Sequence, residues 1–177
     1  MDQLKIHRIK NGEDRHYAEF WKIYSKSFPL CERRTFEQQI EVFKKIGYRL
    51  NGYLSENQFI GFLSFWTSKQ LVFVEHFAVL EEVRSCGIGS TILKAFTEGE
   101  AVPIILEVEP PTNNHRLRRL KFYESAGFVR NEHIHYQPPY HPTDQPLRLD
   151  ILTYQFPIST QLYGEFSEFQ INTMTNK

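Results

Sequence analysis

The chain has 177 residues and a mass of 21.0 kDa, a length that fits one domain. Its 21 Lys and Arg residues balance its 21 Asp and Glu residues, which argues against a protein whose main task is to bind nucleic acid or an anionic membrane. The hydrophobic share of 41% and the charged share of 24% are typical of globular proteins and exclude a disordered chain. We therefore expect a single domain over residues 1–177, with a frayed end over 172–177.

Cysteine and histidine usage indicates neither a disulfide framework nor a metal site. Two cysteines, Cys31 and Cys86, are too few for such a framework, and no Cys/His spacing suggests zinc. His133 and His135 share one face of a predicted strand, but without a third ligand we interpret both as surface histidines. The charged N-terminus predicts no signal peptide, and no apolar run reaches the ~20 residues of a membrane helix. The expected location is the reducing cytoplasm, with no bound metal and no membrane partner.

The period of the apolar residues predicts the first elements. Residues 4–9 alternate and indicate a strand, and helical spacing indicates a helix over 14–28. Thr35 and Gln38 form a capping-box pattern ahead of a second helix, whose predicted apolar face reaches Ile46 before the helix ends at Gly47.

The middle of the chain then changes to a period of two. Branched and aromatic residues predict an antiparallel meander of three strands over 48–55, 58–68 and 70–80. Helical spacing returns over 89–97, before a short apolar strand over 103–108. The remaining predicted elements are a helix over 117–125, strands over 128–136 and 149–157, and a weak helix over 161–171. This order predicts an α+β fold: a mixed, mostly antiparallel twisted sheet of about seven strands with helices on both faces.

The segment from Arg84 to Ser90 is the most informative part of the sequence, because two glycines open a helix directly after a strand. Glycine at positions 87 and 89 permits positive φ and the close approach of a ligand. The first N–H groups of a helix lack intrahelical partners and hold anions such as a pyrophosphate, with Arg84 as a charge partner. The pattern is neither a Walker A loop nor a dinucleotide fingerprint, and a turn with a purely structural role is the alternative.

Two further motifs accompany this loop. The Arg-x-x-Gly-x-Gly sequence follows a strand that ends in Phe-Ala-Val, and Phe-Tyr-x-x-x-Gly-Phe occurs at 122–128. In this order and spacing the motifs, from about Tyr48 to Phe128, resemble the GNAT superfamily of N-acetyltransferases. The resemblance implies that the loop cradles the pyrophosphate of acetyl-CoA and that the preceding strand pairs with the pantetheine arm, in a gap before the strand over 103–108. The residues implied for acetyl-CoA binding are Phe77, Ala78, Val79, Arg84, Ser85, Cys86, Gly87, Ile88, Gly89 and Ser90.

Transfer of an acetyl group to an amine needs a base for the amine proton and an acid for the departing thiolate. The resemblance implies that Tyr123 is the acid; a tyrosine that only packs on the sheet is the alternative. A backbone N–H aimed at the thioester oxygen would stabilise the oxyanion, and that of Val79 is the candidate. Many relatives carry an Asn ahead of the acid where this chain has Arg116, and Asn113 or Asn114 is the candidate replacement.

Two carboxylates are candidate bases, Glu75 and Glu107. Strand alternation places Glu75 on the same face as Phe73, Phe77 and Val79, where burial among aromatic residues would raise its pKa. It puts His76 on the opposite face. Glu107 matches the position at which certain protein N-terminal acetyltransferases keep their base. We rank Glu75 first, with a solvated rim residue as the alternative for either.

The expected function is the transfer of an acetyl group from acetyl-CoA to a primary amine by direct attack, on a small-molecule or peptide acceptor. The first alternative is a module that binds acyl-CoA as a sensor without turnover. The second is a dimer scaffold in which the glycine turn is only structural. No nucleic acid partner is expected, and many relatives pair through their C-terminal strands, so a homodimer stays open.

Overall fold

The computed structural model describes residues 4–174. Within them the chain forms eight strands and five α-helices, in an α+β arrangement that confirms the predicted fold class. The strands are β1 (Lys5–Ile9), β2 (Tyr48–Ser55), β3 (Gln58–Thr67), β4 (Val72–Val79), β5 (Ile104–Val108), β6 (Phe128–Arg130), β7 (His135–Gln137) and β8 (Leu147–Tyr154). The helices are α1 (Tyr17–Ser27), α2 (Phe36–Val42), α3 (Ile88–Glu98), α4 (Asn114–Ser125) and α5 (Thr160–Met174).

The sheet has the order β1-β2-β3-β4-β5-β8-β6, and β7 pairs with β8 beside β6. Within residues 4–174 all strand pairs are antiparallel except β4 with β5, which α3 connects as a crossover. Each face of the sheet carries its own hydrophobic core. Helices α1, α2 and α5 cover one face, called here the α1 face, and α3 and α4 cover the other, the α3 face.

The start of α2 confirms the predicted capping box. The Thr35 hydroxyl accepts a hydrogen bond from the Gln38 N–H at 3.2 Å, and the Gln38 side chain accepts one from the Thr35 N–H at 2.8 Å. The helix ends at Val42, so the apolar face predicted to reach Ile46 is too long, and the Ile46 side chain is fully exposed. Gly47 then turns the chain at φ +91°, where a Cβ atom would lie 2.7 Å from a backbone oxygen of β3.

A β-bulge in the β3–β4 pair changes the phase of β4. Ser64 pairs with His76 and Phe65 pairs with Val74, which leaves Glu75 as the extra residue. The bulge turns both Glu75 and His76 toward the α1 face and moves Phe77 to the α3 face. The prediction that Glu75 shares a face with Phe77 and Val79 and lies opposite His76 is therefore wrong.

The C-terminal third differs from the prediction at two places. The strand predicted over 128–136 is divided into β6 and β7, because the Asn131 side chain donates to backbone oxygens of Val129 and Ile151 and accepts from the Ile158 N–H in place of further ladder bonds. This division gives eight strands instead of about seven. Helix α5 continues to Met174, so the predicted frayed end is helical as far as the structure describes it, and residues 175–177 lie outside the described part. No helix between residues 4 and 174 is long and apolar enough to cross a membrane.

Candidate active site

The central feature of the sheet is a gap between β4 and β5. These strands pair only where Val72, Phe73 and Val74 meet the first three residues of β5. Beyond that point β4 continues to Val79 and β5 to Val108 without pairing to each other. Because the two strands are parallel, the gap opens toward the C-terminal ends of both. It is the splay that the family resemblance implies.

The backbone of β4 presents free polar groups to this gap. The Leu80 N–H donates to the Ile60 carbonyl at 2.8 Å, which fixes the phase of the bonds to β3. Bonding alternates along an antiparallel pair, so the N–H and C=O groups of Phe77 and Val79 point away from β3. They face the gap, where a ligand with amide groups could pair as an added strand.

The glycine loop continues this row of donors. Ser85 and Gly87 adopt positive φ, +68° and +78°, and Gly87 is the N-cap of α3. The six N–H groups over 85–90 have no hydrogen-bond partner among residues 4–174, because the first intrahelical bond is from Thr91 to Gly87 at 3.0 Å. Successive N–H groups at a helix N-terminus form an anion-binding concavity.

The loop also leaves space for a ligand. A Cβ atom built on Gly87 would meet nothing within 4 Å, whereas one on Gly89 would lie 3.5 Å from the Phe122 ring. Arg84 is exposed and makes no salt bridge within the described part of the chain, so its charge is available to an anion. Glycine at 87 thus serves both the left-handed turn and an open approach to the backbone.

Tyr123 lies in α4 on the α3 face, the same side of the sheet as Phe77 and Val79. Its side chain is buried against Phe122 and Phe128, with ring centroids 5.1 and 5.9 Å away. Burial raises the pKa of its hydroxyl to about 12, so the proton is retained at neutral pH. No residue within 4–174 hydrogen-bonds this hydroxyl, which leaves it free for a ligand.

Glu75 is enclosed by donors. Arg34 binds its carboxylate with both terminal nitrogens, at 2.8 and 2.6 Å. The Trp66 indole N–H donates at 3.1 Å and the Tyr140 hydroxyl donates at 3.1 Å. Although burial alone would raise the pKa of Glu75, the Arg34 charge and these bonds hold it below its ordinary value. The expected rise in its pKa is therefore wrong.

Glu107 lies in β5 and also points to the α1 face, where its carboxylate is buried. His135 lies 2.5 Å from Oε1 through Nε2, and Gln170 of α5 donates to the same oxygen at 2.8 Å. Gln137 donates to Oε2 at 2.6 Å. The carboxylate therefore accepts three hydrogen bonds, none of them from Arg or Lys.

The two carboxylates flank the point at which the strands separate. Val74 and Leu106 form the last pair of β4 with β5, and Glu75 and Glu107 are the next residues of the two strands. The Tyr140 hydroxyl donates to Glu75, and burial, followed by the charge of Glu75, raises the pKa of that hydroxyl well above its ordinary value. The structure thus brings the two candidate bases together at one end of the gap.

Sequence reasoning missed most of the groups that hold these carboxylates. The predicted site contains neither Arg34, nor His135, nor Tyr140. His135, interpreted as a surface histidine, is only 3% exposed and bonds to Glu107, so that interpretation is wrong. The pairing of Arg34 with Glu75 could not be predicted, because no local pattern links residues that are 41 positions apart.

His76 is buried beside this network and is neutral at pH 7, because burial lowers its pKa to about 4. Its Nε2 lies 2.9 Å from the Glu32 carbonyl, the partner that requires a proton on that nitrogen. The ring also stands edge-on to Tyr24 at 4.9 Å. His76 therefore ties the loop between α1 and α2 to the end of β4.

The basic residues at the start of α4 are paired. Arg116 and Arg119 bind the two oxygens of Glu109 at 2.5 and 2.9 Å. The Asn113 side chain caps the helix, because its Oδ1 accepts hydrogen bonds from the backbone N–H groups of His115 and Arg116. Asn113 is thus used for capping. Residues 4–174 hold no group of three His, Cys, Asp or Glu side chains that could bind a metal ion.

Comparison with known proteins agrees with this geometry. Residues 51–130 match the family model described as an acetyltransferase (GNAT) domain. A Bacteroides thetaiotaomicron protein assigned to the GNAT family of acetyltransferases is similar over 98% of this chain and 99% of its own, with 28% identity and a TM-score of 0.88. A GNAT family acetyltransferase from Elizabethkingia anophelis, solved with acetyl-CoA bound, is similar over 88% of this chain and 100% of its own, with 16% identity and a TM-score of 0.60.

Arabidopsis thaliana Naa50, solved with a bisubstrate analogue that joins CoA to a peptide, is similar over 86% of this chain and 99% of its own, with 18% identity and a TM-score of 0.61. No curated protein sequence matches the chain. The split sheet and the open glycine loop occur together with this match. Over residues 51–130 the chain carries an acetyltransferase (GNAT) domain, and its fold is that of GNAT family acetyltransferases, one of which was solved with acetyl-CoA bound.

Proposed function

We propose that this protein transfers the acetyl group of acetyl-CoA to a primary amine by direct attack, in one domain that spans the chain. The observation that carries the proposal is a row of free backbone N–H groups in two parts. Those of Phe77 and Val79 face the gap from β4, and those over 85–90 line the glycine loop and the first turn of α3. Between the two parts, the N–H groups of Leu80, Val83 and Arg84 are hydrogen-bonded within the protein. A thioester with a peptide-like arm and a pyrophosphate is complementary to such a row.

The donor site is built from this row. The pantetheine amides pair with Phe77 and Val79 along the gap, and the pyrophosphate accepts from the N–H groups over 85–90. Arg84 adds a charge partner. The residues assigned to acetyl-CoA are Phe77, Ala78, Val79, Arg84, Ser85, Cys86, Gly87, Ile88, Gly89 and Ser90.

Tyr123 is the proposed acid and Val79 the proposed oxyanion donor. Tyr123 holds its proton at neutral pH and keeps its hydroxyl free of protein partners among the described residues, as a donor to a departing thiolate must. The Val79 N–H faces the gap and can stabilise negative charge on the thioester oxygen. The rest of the acceleration comes from alignment of the two substrates.

For the base we rank Glu107 ahead of Glu75, because hydrogen-bond capacity separates them. A carboxylate offers about four lone-pair positions. Glu75 fills all four, two of them with Arg34, which leaves no position for an amine proton. Glu107 fills three and keeps one position on Oε2 open. Glu107 removes the amine proton, directly or through water, and so produces the neutral amine that attacks the thioester.

The acceptor is a small-molecule or peptide amine. Solved structures similar to this chain include Naa50 with a peptide-bearing analogue, a ribosomal-protein-S18-alanine N-acetyltransferase from Escherichia coli, and a spermidine N-acetyltransferase chimera. All of them act on amines, either at a protein terminus or in a small polyamine. The α1–α2 loop and the loop of Tyr140 border the acceptor side of the gap here.

The test is release of free thiol from acetyl-CoA in the presence of a panel of small amines and short peptides. We expect turnover with at least one amine, and the loss of more than about ten-fold in kcat for Glu107→Gln. Glu75→Gln is the matched variant, and we expect it to act chiefly on stability. Acetyl-CoA binding with no turnover on any amine would favour the sensor alternative, and equal kcat for wild type and Glu107→Gln would remove Glu107 as the base.

A further inference from the structure

His135 occupies a position that the acetyl-transfer scheme above does not use. It lies in β7, is 3% exposed, and stands between Glu107 of β5 and Tyr163 of α5. Its Nε2 is 2.5 Å from Glu107 Oε1, and its Nδ1 is 3.1 Å from the Tyr163 hydroxyl. Both ring nitrogens of this buried histidine therefore have partners, and one of the partners is the proposed base.

The contacts assign the tautomer of this histidine. An ionised carboxylate only accepts, so the short contact requires a proton on Nε2. Nδ1 lies 3.1 Å from the Tyr163 hydroxyl, whose proton also has the Ile134 carbonyl as an acceptor at 3.3 Å. The ring is further fixed by Phe166, whose centroid lies 5.7 Å away. The proton on Nε2 and the orientation of the carboxylate are thus set together.

We propose that His135 is the positioning residue of the base: it binds Oε1 of the Glu107 carboxylate and so orients that carboxylate with a lone-pair position of Oε2 free for the amine proton. The inference rests on the proposed role of Glu107. In the step concerned, an N–H bond of the acceptor ammonium breaks and an O–H bond forms at Glu107 Oε2, while His135 keeps its own Nε2 proton throughout.

Three elements, β5, β7 and α5, supply the groups around His135 and Glu107. The His135 ring contacts Glu107 from β5 and Tyr163 from α5, and the His133 ring packs against Tyr163 with 4.2 Å between centroids. Gln137 and Gln170 complete the shell and carry no charge.

Two variants separate positioning from packing. His135→Phe keeps a ring in the same space but removes the donor to Glu107 Oε1, so we expect kcat to fall about ten-fold. His135→Gln keeps a neutral amide donor that can reach the same oxygen, so we expect it to retain most of the wild-type kcat. KM for acetyl-CoA is expected to stay the same in both, since His135 does not touch the glycine loop.

Gln170→Met is the matched control, because it removes a neutral donor from the same oxygen, Glu107 Oε1. We expect a smaller loss of kcat than in His135→Phe, because His135 still binds that oxygen. Equal kcat for wild type and His135→Phe, alongside a large loss in Glu107→Gln, would overturn the role of His135 while leaving Glu107 as the base. Wild-type kcat in Glu107→Gln would instead overturn the base itself. If His135→Phe does not fold, the kcat of His135→Leu, which also lacks the donor, decides the matter.

Discussion

The two sides of the gap between β4 and β5 are built in opposite ways. On the donor side, from β4 to α3, unpaired backbone N–H groups lie in an exposed loop with open space at Gly87. On the acceptor side, buried side chains saturate one another, and Glu75 accepts four hydrogen bonds without contact to water. The proposed donor site is therefore made of main-chain groups that are open to a ligand, whereas the proposed acceptor side depends on side-chain pairs that must stay intact.

The largest expected effect is on the donor side, in Gly87→Val. The new side chain would occupy the open space in front of the N–H groups and would have to adopt φ +78°, a conformation that costs a β-branched residue roughly 1–2 kcal/mol. We expect acetyl-CoA binding to disappear in isothermal titration calorimetry. Gly164→Val is the matched control, because Gly164 in α5 also has open space around it. Equal affinity in wild type and Gly87→Val would contradict a main-chain donor site.

The next largest effect is on the acceptor side, in Arg34→Met. Removal of this guanidinium leaves the Glu75 charge buried without its partner, which typically costs about 3–5 kcal/mol. Arg116→Met, which breaks an ion pair with a partly exposed arginine, should cost about 1 kcal/mol or less. Urea denaturation at pH 7 measures both. Similar unfolding free energies for the two variants would remove the contrast between the two sides.

The pH dependence of the free energy of unfolding tests the buried, side-chain-built acceptor side through His76. Its pKa is about 4 in the folded protein and 6.5 in the unfolded chain, so the unfolded state binds the proton first as the pH falls. The stabilising contribution of this residue to the free energy of unfolding is therefore fully present above pH 6.5. It is lost as the pH falls from 6.5 to 4, and the loss is about 3 kcal/mol in all.

Denaturation of wild type and His76→Gln over that pH range tests this. We expect the difference in unfolding free energy between them to shrink as the pH falls. His115→Gln, at an exposed histidine of α4, is the control and should follow the wild-type curve. A constant difference between wild type and His76→Gln from pH 7 to pH 4 would show that His76 is not held neutral by burial.

The smallest of these effects in free energy concerns Tyr123→Phe. The hydroxyl has no protein partner within residues 4–174, so stability should change by less than about 1 kcal/mol. We expect kcat to fall more than about ten-fold, or ~1.4 kcal/mol, with acetyl-CoA affinity unchanged. Tyr154→Phe is the matched control, since the Tyr154 ring packs on the same Phe128. A Tyr123→Phe enzyme with wild-type kcat would assign the tyrosine to packing.

The same contrast explains what the sequence could predict. The donor side depends on a strand, a glycine turn and a helix that are contiguous in the chain, so periodicity and one motif located them. The acceptor side depends on pairs separated by 41 residues for Arg34 and Glu75, and by 28 for Glu107 and His135. No local pattern encodes such pairs.

The bulge at Glu75 shows a second limit. A single extra residue in β4 reverses the face of every later side chain in that strand, and the alternation of apolar residues does not reveal where it falls. The prediction assumed regular alternation along β4, so it put Phe77 and Val79 on the face of Glu75. For the same reason it put His76 on the opposite face and missed the partners of that residue. The break between β6 and β7 likewise depends on the bonds of Asn131, which only the folded chain brings together.

The most direct test of the central claim, that the row of N–H groups from β4 to α3 is the acetyl-CoA site, is a thermal melt of the protein with acetyl-CoA, ATP or NAD. A ligand at about one hundred times its Kd adds ~2.7 kcal/mol to the native state. For a domain of this size, each kcal/mol raises Tm by roughly 2–4 °C. We predict a rise of several degrees with acetyl-CoA alone. An unchanged Tm with acetyl-CoA at millimolar concentration would contradict the account and make the glycine loop a structural turn.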